Sequence, residues 1–224
     1  MTVARVRKFL QEFSGGAAAL LFVVLLVSAC SRPLTPVEEA FAQDLFGPSL
    51  DTSKVRVAQG LGLLPVTRPV PTAPQLVTPT DKACLRTPQP RGGQPPQAFA
   101  FGNKVHFETG LYSSDMVMAW PDRLRVPHAL IFAHELTHVW QWQNRATTGY
   151  SPARAAAESL ALADPYFSEG EAAFFSFGFE QQAAIIEDYI CFAFANPSHP
   201  RRFELRAILE PVLPVDQFDE ALGR

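Results

Sequence analysis

The run from Pro127 to Gln143 constrains this chain more than any other stretch. It is apolar at Ala129, Leu130, Ile131, Phe132, Ala133, Leu136, Val139, Trp140 and Trp142. At about 100° per residue these positions cover most of a helix circumference. Such a helix belongs at the centre of a domain, with other elements packed around it. Yet it carries His134, Glu135 and His138 in mid-span. Burying polar groups like these without partners costs on the order of 2–7 kcal/mol each. The sequence therefore predicts a specific partner for them.

The spacing suggests what that partner is. His134 and His138 are four residues apart and share a helix face, so both imidazoles can reach one ion. Glu135 sits one residue round, where it can take a proton from a water beside that ion without ligating it. His-Glu-x-x-His on a helix is a zinc pattern, so Zn2+ is the expected cofactor and Glu135 the expected catalytic base. A catalytic zinc keeps three protein ligands and an open position. Gln141 and Asn144 stand where the longer metzincin signature needs glycine and histidine, which excludes that class. His106, His128 and His199 lack ligand spacing, and His128 reads as a surface residue at the helix start. The carboxylates of the later apolar run Phe179–Phe194 are better candidates: Glu180, Glu187 and Asp188. Glu180 and Glu187 are one heptad apart and share a face. Glu180 is the expected third ligand and Glu187 the alternative. Asp188 is expected to orient a ligand histidine through its second ring nitrogen. Tyr189, Tyr112 and His106 are the candidates for stabilising a tetrahedral oxyanion.

The first thirty residues read as an export signal. Arg5, Arg7 and Lys8 precede a short apolar run, Ala17–Val27, and then Val27-Ser28-Ala29-Cys30. Small residues before a cysteine resemble a bacterial lipobox, which implies cleavage before Cys30 and lipidation of Cys30. Acyl chains would anchor the chain to a membrane. Ser31, where an aspartate would favour the inner membrane, leans the expectation toward the outer membrane. The expected location is a bacterial cell envelope, facing periplasm or surface. In that oxidising compartment Cys84 and Cys191 can form a disulfide; the alternative for Cys191 is a buried thiol. A net charge of −3 over 224 residues gives no reason to expect nucleic acid as a partner.

Four segments follow: a signal peptide at 1–29; an N-terminal helix and short strand at 30–63; a proline-rich extended segment at 64–98; and a core at 99–224. Thr35-Pro36-Val37-Glu38 predicts a capped helix start, running to about Phe46. Val55–Val57 and Val105–Phe107 alternate like strands, and Met116–Met118 is a strand or a loop. Residues 64–97 hold nine prolines and predict weakly structured chain over the surface. Further helices are expected over Arg154–Leu162, Phe179 to about Ala195, Glu204–Leu209 and Gln217–Leu222.

The chain resembles the bacterial zincin-like metallopeptidase domains associated with extracellular contractile injection systems, the Vgr-related proteins. The resemblance lies in Leu34–Gly47, Asp51–Val57, Phe101–Phe107, Ala133–Gln141, Glu180-Gln181-Gln182-Ala183 and Asp188-Tyr189. It implies an α+β zincin-like fold, mainly helical, with a small sheet beside the His134 helix. It also supports Glu180 as a gluzincin-like third ligand. In zincins a strand beside the motif helix holds extended peptide by main-chain pairing, and Val105–Phe107 is the candidate. The expected function is membrane-anchored, zinc-dependent hydrolysis of a peptide or protein substrate. The alternative is a non-catalytic, zinc-stabilised envelope lipoprotein that binds a partner.

Overall fold

The computed structural model describes residues 31–60, 75–76, 79–88, 97–161, 164–168, 170 and 172–224. The chain divides into two compact units, Met1–Arg32 and Pro33–Arg224, and the second carries the elements below. Cys30 and the stretch expected to be an export signal lie outside the described residues, as do residues 61–74, 77–78 and 89–96 of the proline-rich stretch. No helix among the described residues is long and apolar enough to cross a membrane.

The Pro33–Arg224 unit is α+β and mainly helical. Its first helix, α1 (Pro36–Phe46), starts on a capping box: the Glu38 amide donates to Thr35 Oγ1, and the Thr35 amide donates to Glu38 Oε2 at 2.9 Å. Glu38 is buried because its other oxygen accepts the Met116 amide at 2.8 Å. The cap of α1 thus also fixes the loop at Met116–Met118, which is not a strand.

Five short strands follow: β1 (Arg56–Gln59), β2 (Gln75–Leu76), β3 (Ala98–Phe101), β4 (Lys104–Phe107) and β5 (Arg125–Val126). In the main sheet β4 lies between β1, parallel to it, and β3, antiparallel to it. β3 and β4 are joined at Gly102–Asn103, where Gly102 takes φ 60°, a conformation that favours glycine. Alternation along β4 buries Val105 and Phe107 on the core face and turns His106 to the other. β2 and β5 form a separate antiparallel ribbon. Within the stretch expected to be weakly structured there is also a short helix, α2 (Asp81–Cys84), capped by Thr80.

The central helix is α3 (His128–Gln143). It packs against β3, β4 and β5, and most extensively on α6. Between them in sequence come α4 (Arg145–Thr148) and α5 (Pro152–Ala161), and then α6 itself (Phe179–Ala195). Phe132 of α3 lies between Phe41 of α1 and Phe107 of β4, with ring centroids 6.1 and 6.3 Å away. His128 is buried, at 3% exposure, which corrects its reading as a surface residue. The α3 N-terminus is not at the surface, because β5 runs directly into it through Pro127.

The chain ends in α7 (Pro200–Leu209) and α8 (Val215–Ala221). α7 packs on α6, and Arg202 and Arg206 of α7 both pair with Asp219 of α8. Cys84 and Cys191 are joined by a disulfide, which ties α2 to α6 across 107 residues.

Candidate metal centre

The centre lies between α3 and the first two turns of α6. His134 and His138 project from one face of α3 toward Glu180, which stands in the first turn of α6. His134 Nε2 is 3.0 Å and His138 Nε2 3.3 Å from the same atom, Glu180 Oε2. One donor atom from each of these residues lies within 4.8 Å of the others. Two imidazole nitrogens and one carboxylate oxygen thus converge on a single point, from side chains only 7–17% exposed.

The second ring nitrogens are also engaged. His138 Nδ1 lies 2.8 Å from Gln141 Oε1. The amide group of Gln141 is committed as a donor, to Phe179 O at 3.2 Å and Gln182 Oε1 at 2.9 Å. Its Oε1 therefore faces His138 as an acceptor. The proton of His138 is held on Nδ1, so that Nε2, which faces Glu180, would offer a lone pair wherever a cation takes the place of its proton. His134 Nδ1 lies 3.3 Å from Glu187 Oε2, which can only accept when ionised, so the same argument applies. Both histidines present Nε2 to the meeting point with Glu180.

Electrostatics agree with this donor set. Burial works to lower the pKa of His134, but hydrogen bonds to Glu180 and Glu187 and the charges of Glu180 and Glu135 raise it to about 10. For His138, burial is outweighed in the same way by Glu180, and its pKa is raised. Burial opposes ionisation of Glu180, yet the two histidines hold it well below the usual carboxylate range. The cluster calls for positive charge at its centre, supplied by protons or by a cation. A divalent cation fits these residues, because each would offer the unshared electron pair that metal ligation requires.

Glu135 is buried, at 5% exposure, and its Oε2 makes no hydrogen bond. Burial pushes its pKa up to about 7, against the pull of His134 and His138. It stands beside the donors without belonging to the converging set. An unpartnered buried oxygen there has the position of a proton acceptor for a water or substrate group.

The other expected site residues fall in different places. Glu187 contacts His134, so the orienting carboxylate is Glu187 rather than Asp188. The heptad spacing returns Glu187 to the face of Glu180, whereas Asp188 turns aside to Arg86 Nε at 2.8 Å. Tyr189 is on the opposite face of α6. Its hydroxyl donates to Asp219 Oδ1 at 2.8 Å, within the ion network that holds α7 and α8. His106 faces away from α3, stacked on Phe99 at 4.6 Å, with Nδ1 3.2 Å from Gly60 O. Tyr112 packs against the main core after β4. The β4 strand, expected to pair with a peptide, is the middle strand of its sheet and is filled on both sides. The strand with an outer edge next to α3 is β3.

Two tyrosines not singled out from the sequence lie at the histidines. The Tyr166 ring centroid is 5.7 Å from that of His134, and Tyr150 is 6.1 Å from His138. Burial, reinforced by Glu180 and Glu135, pushes both phenols up to about 12, so both keep their protons as donors. Each follows a local breaker, Gly149 or Asp164-Pro165, and that was the only sequence signal. Gln141 and Gln182 were within the stretches that carried the family resemblance, but their role in the amide chain was not legible there.

No family model matches the chain, and no curated protein matches it. Among solved structures it is similar to the effector domain of Pseudomonas aeruginosa VgrG2b, with a TM-score of 0.47 and 22% identity. The match covers 81% of this chain and 83% of that one.

Proposed function

We propose that this chain is a zinc-dependent hydrolase acting on peptide bonds, held in a bacterial envelope through a lipid on Cys30. One observation carries the hydrolytic reading. His134 and His138 converge on Glu180, while Glu135, buried beside them, keeps an oxygen without a partner. A purely structural site has no use for that fourth group. Among the described residues the converging set has three members, which leaves room for a substrate or water.

His134, His138 and Glu180 would hold the ion, and zinc bound there supplies Lewis-acid polarisation of a carbonyl and of water. Glu135 takes the proton of the attacking water and delivers it to the leaving amine. Tyr166, 42% exposed at the rim, and Tyr150, 8% exposed within, are the donors available to a developing oxyanion. An extended peptide has a place to pair along the outer edge of β3, where Phe101 is 65% exposed.

The test is cleavage of unfolded protein substrates by the soluble mature domain, with and without zinc. Glu135→Gln is expected to retain zinc and lose cleavage by about 10²-fold or more. Equal cleavage by both forms would remove Glu135 from the chemistry. Zinc that raises the melting temperature of a domain with no hydrolytic activity on any substrate favours instead a zinc-stabilised binding lipoprotein.

A further inference from the structure

We infer that Arg86, delivered from the proline-rich stretch and tethered by the Cys84–Cys191 disulfide, is a positioning residue for the metal ligand His134. The inference rests on the zinc reading above and extends it to a segment far from the motif in sequence.

The geometry is a short chain of contacts. Arg86 reaches Glu187 Oε2 through a terminal nitrogen at 2.7 Å and Asp188 Oδ1 through Nε at 2.8 Å. The same oxygen of Glu187 is 3.3 Å from His134 Nδ1. One carboxylate oxygen thus stands between the guanidinium and the imidazole. Without Arg86, Glu187 and Asp188 are adjacent half-buried acids, and among the described ion pairs Glu187 keeps only the histidine. Glu187 is then free to rotate away, which removes the acceptor beside His134 Nδ1. Arg86 holds Glu187 in place, so that His134 Nε2 stays aimed at Glu180. The guanidinium fork matches this task, because its geometry spans two carboxylates at once.

Arg86 owes its place to three ties on the chain just before it. Thr80 caps α2 through the Ala83 amide. Asn196, at the end of α6, donates to Asp81 at 3.0 Å. Cys84, two residues before Arg86, is bonded to Cys191, one helical turn beyond Glu187. Leu85 between them is half exposed and contributes little packing. The covalent bond and these two hydrogen bonds, rather than the packing of Leu85, hold the arginine over α6.

The experiment is a set of zinc affinities, measured by competition with a chelating dye on the folded mature domain. The proteins are wild type, Arg86→Gln, Glu187→Gln, the Arg86→Gln/Glu187→Gln pair, and Cys84→Ser/Cys191→Ser. Loss of such an outer partner weakens metal binding by about 10–100-fold. Arg86→Gln is expected to weaken zinc by about 10-fold or more in the wild-type background. It is expected to change almost nothing in Glu187→Gln, because its only route to the metal runs through that carboxylate. The visible spectrum of the cobalt(II) form is expected to shift in Arg86→Gln and not shift further in the pair. The cysteine variant is expected to weaken zinc in the same direction. Unchanged affinity in Arg86→Gln overturns the role of Arg86, and an equal loss in both backgrounds reduces it to general stabilisation. Wild-type affinity in the cysteine variant overturns the tether. Wild type that binds no zinc overturns the metal reading itself, a different result from any of these.

Discussion

Gln141 occupies the position where a longer zinc signature would carry glycine, and it does other work there. Its amide donates to Phe179 and Gln182 across the helix pair, and its carbonyl oxygen fixes the His138 proton on Nδ1. Gln141→Leu keeps the size and removes both functions, so zinc affinity is expected to fall by about 10–100-fold in a dye competition. Affinity equal to wild type would show that His138 needs no orientation. His128 makes a different prediction. Burial, with help from Arg125, lowers its pKa to about 4, and its Nδ1 has no partner. The unfolded chain therefore binds a proton near its ordinary pKa of about 6.5 that the folded chain refuses. Stability from this group is present above about pH 6.5 and lost as pH falls toward about 4, by about 1–3 kcal/mol. His128→Phe is expected to flatten the melting-temperature profile across that window. A mutant profile as steep as that of wild type would assign the loss to other groups.

At the scale of elements, periodicity and capping carried most of the information. The run Phe179–Ala195 is a helix over the range its apolar composition predicts, and Thr35 with Glu38 caps α1 as its spacing predicts. The His134, His138 and Glu180 positions were legible because helical spacing alone brings two of them onto one face. The tyrosines were not, because a ring's reach into a site depends on how turns fold, and turn paths leave little trace in composition. The choice between Glu187 and Asp188 failed for another reason. The two are adjacent on α6, and the heptad spacing that returns Glu187 to the face of Glu180 turns Asp188 aside, a difference of one helical position. Residues 79–88 were misread as loose chain, since proline density hides a helix held by a cap and a disulfide. That bond closes a loop of 107 residues, which in a chain-entropy account stabilises by about 4–5 kcal/mol. Cys84→Ser/Cys191→Ser is expected to lose about 2–5 kcal/mol in urea unfolding. A loss under about 1 kcal/mol would place the segment's order in its side-chain contacts instead.

For the whole molecule, the parts serve one constraint. A helix with polar groups in its middle can sit in a core only if the core answers them. Here α6 answers with Glu180 and Glu187, the disulfide holds Arg86 behind them, and the sheet closes the other side of α3. The two histidines and Glu180 still call for positive charge at their meeting point, and zinc is the cation proposed for it. Elemental analysis of the purified mature domain tests this most directly, with His138→Ala and Glu180→Ala measured beside it. About one zinc per chain is expected in the wild type, and a large loss in both variants. Wild type free of zinc after exposure to it, or stoichiometric zinc retained in His138→Ala, would contradict it.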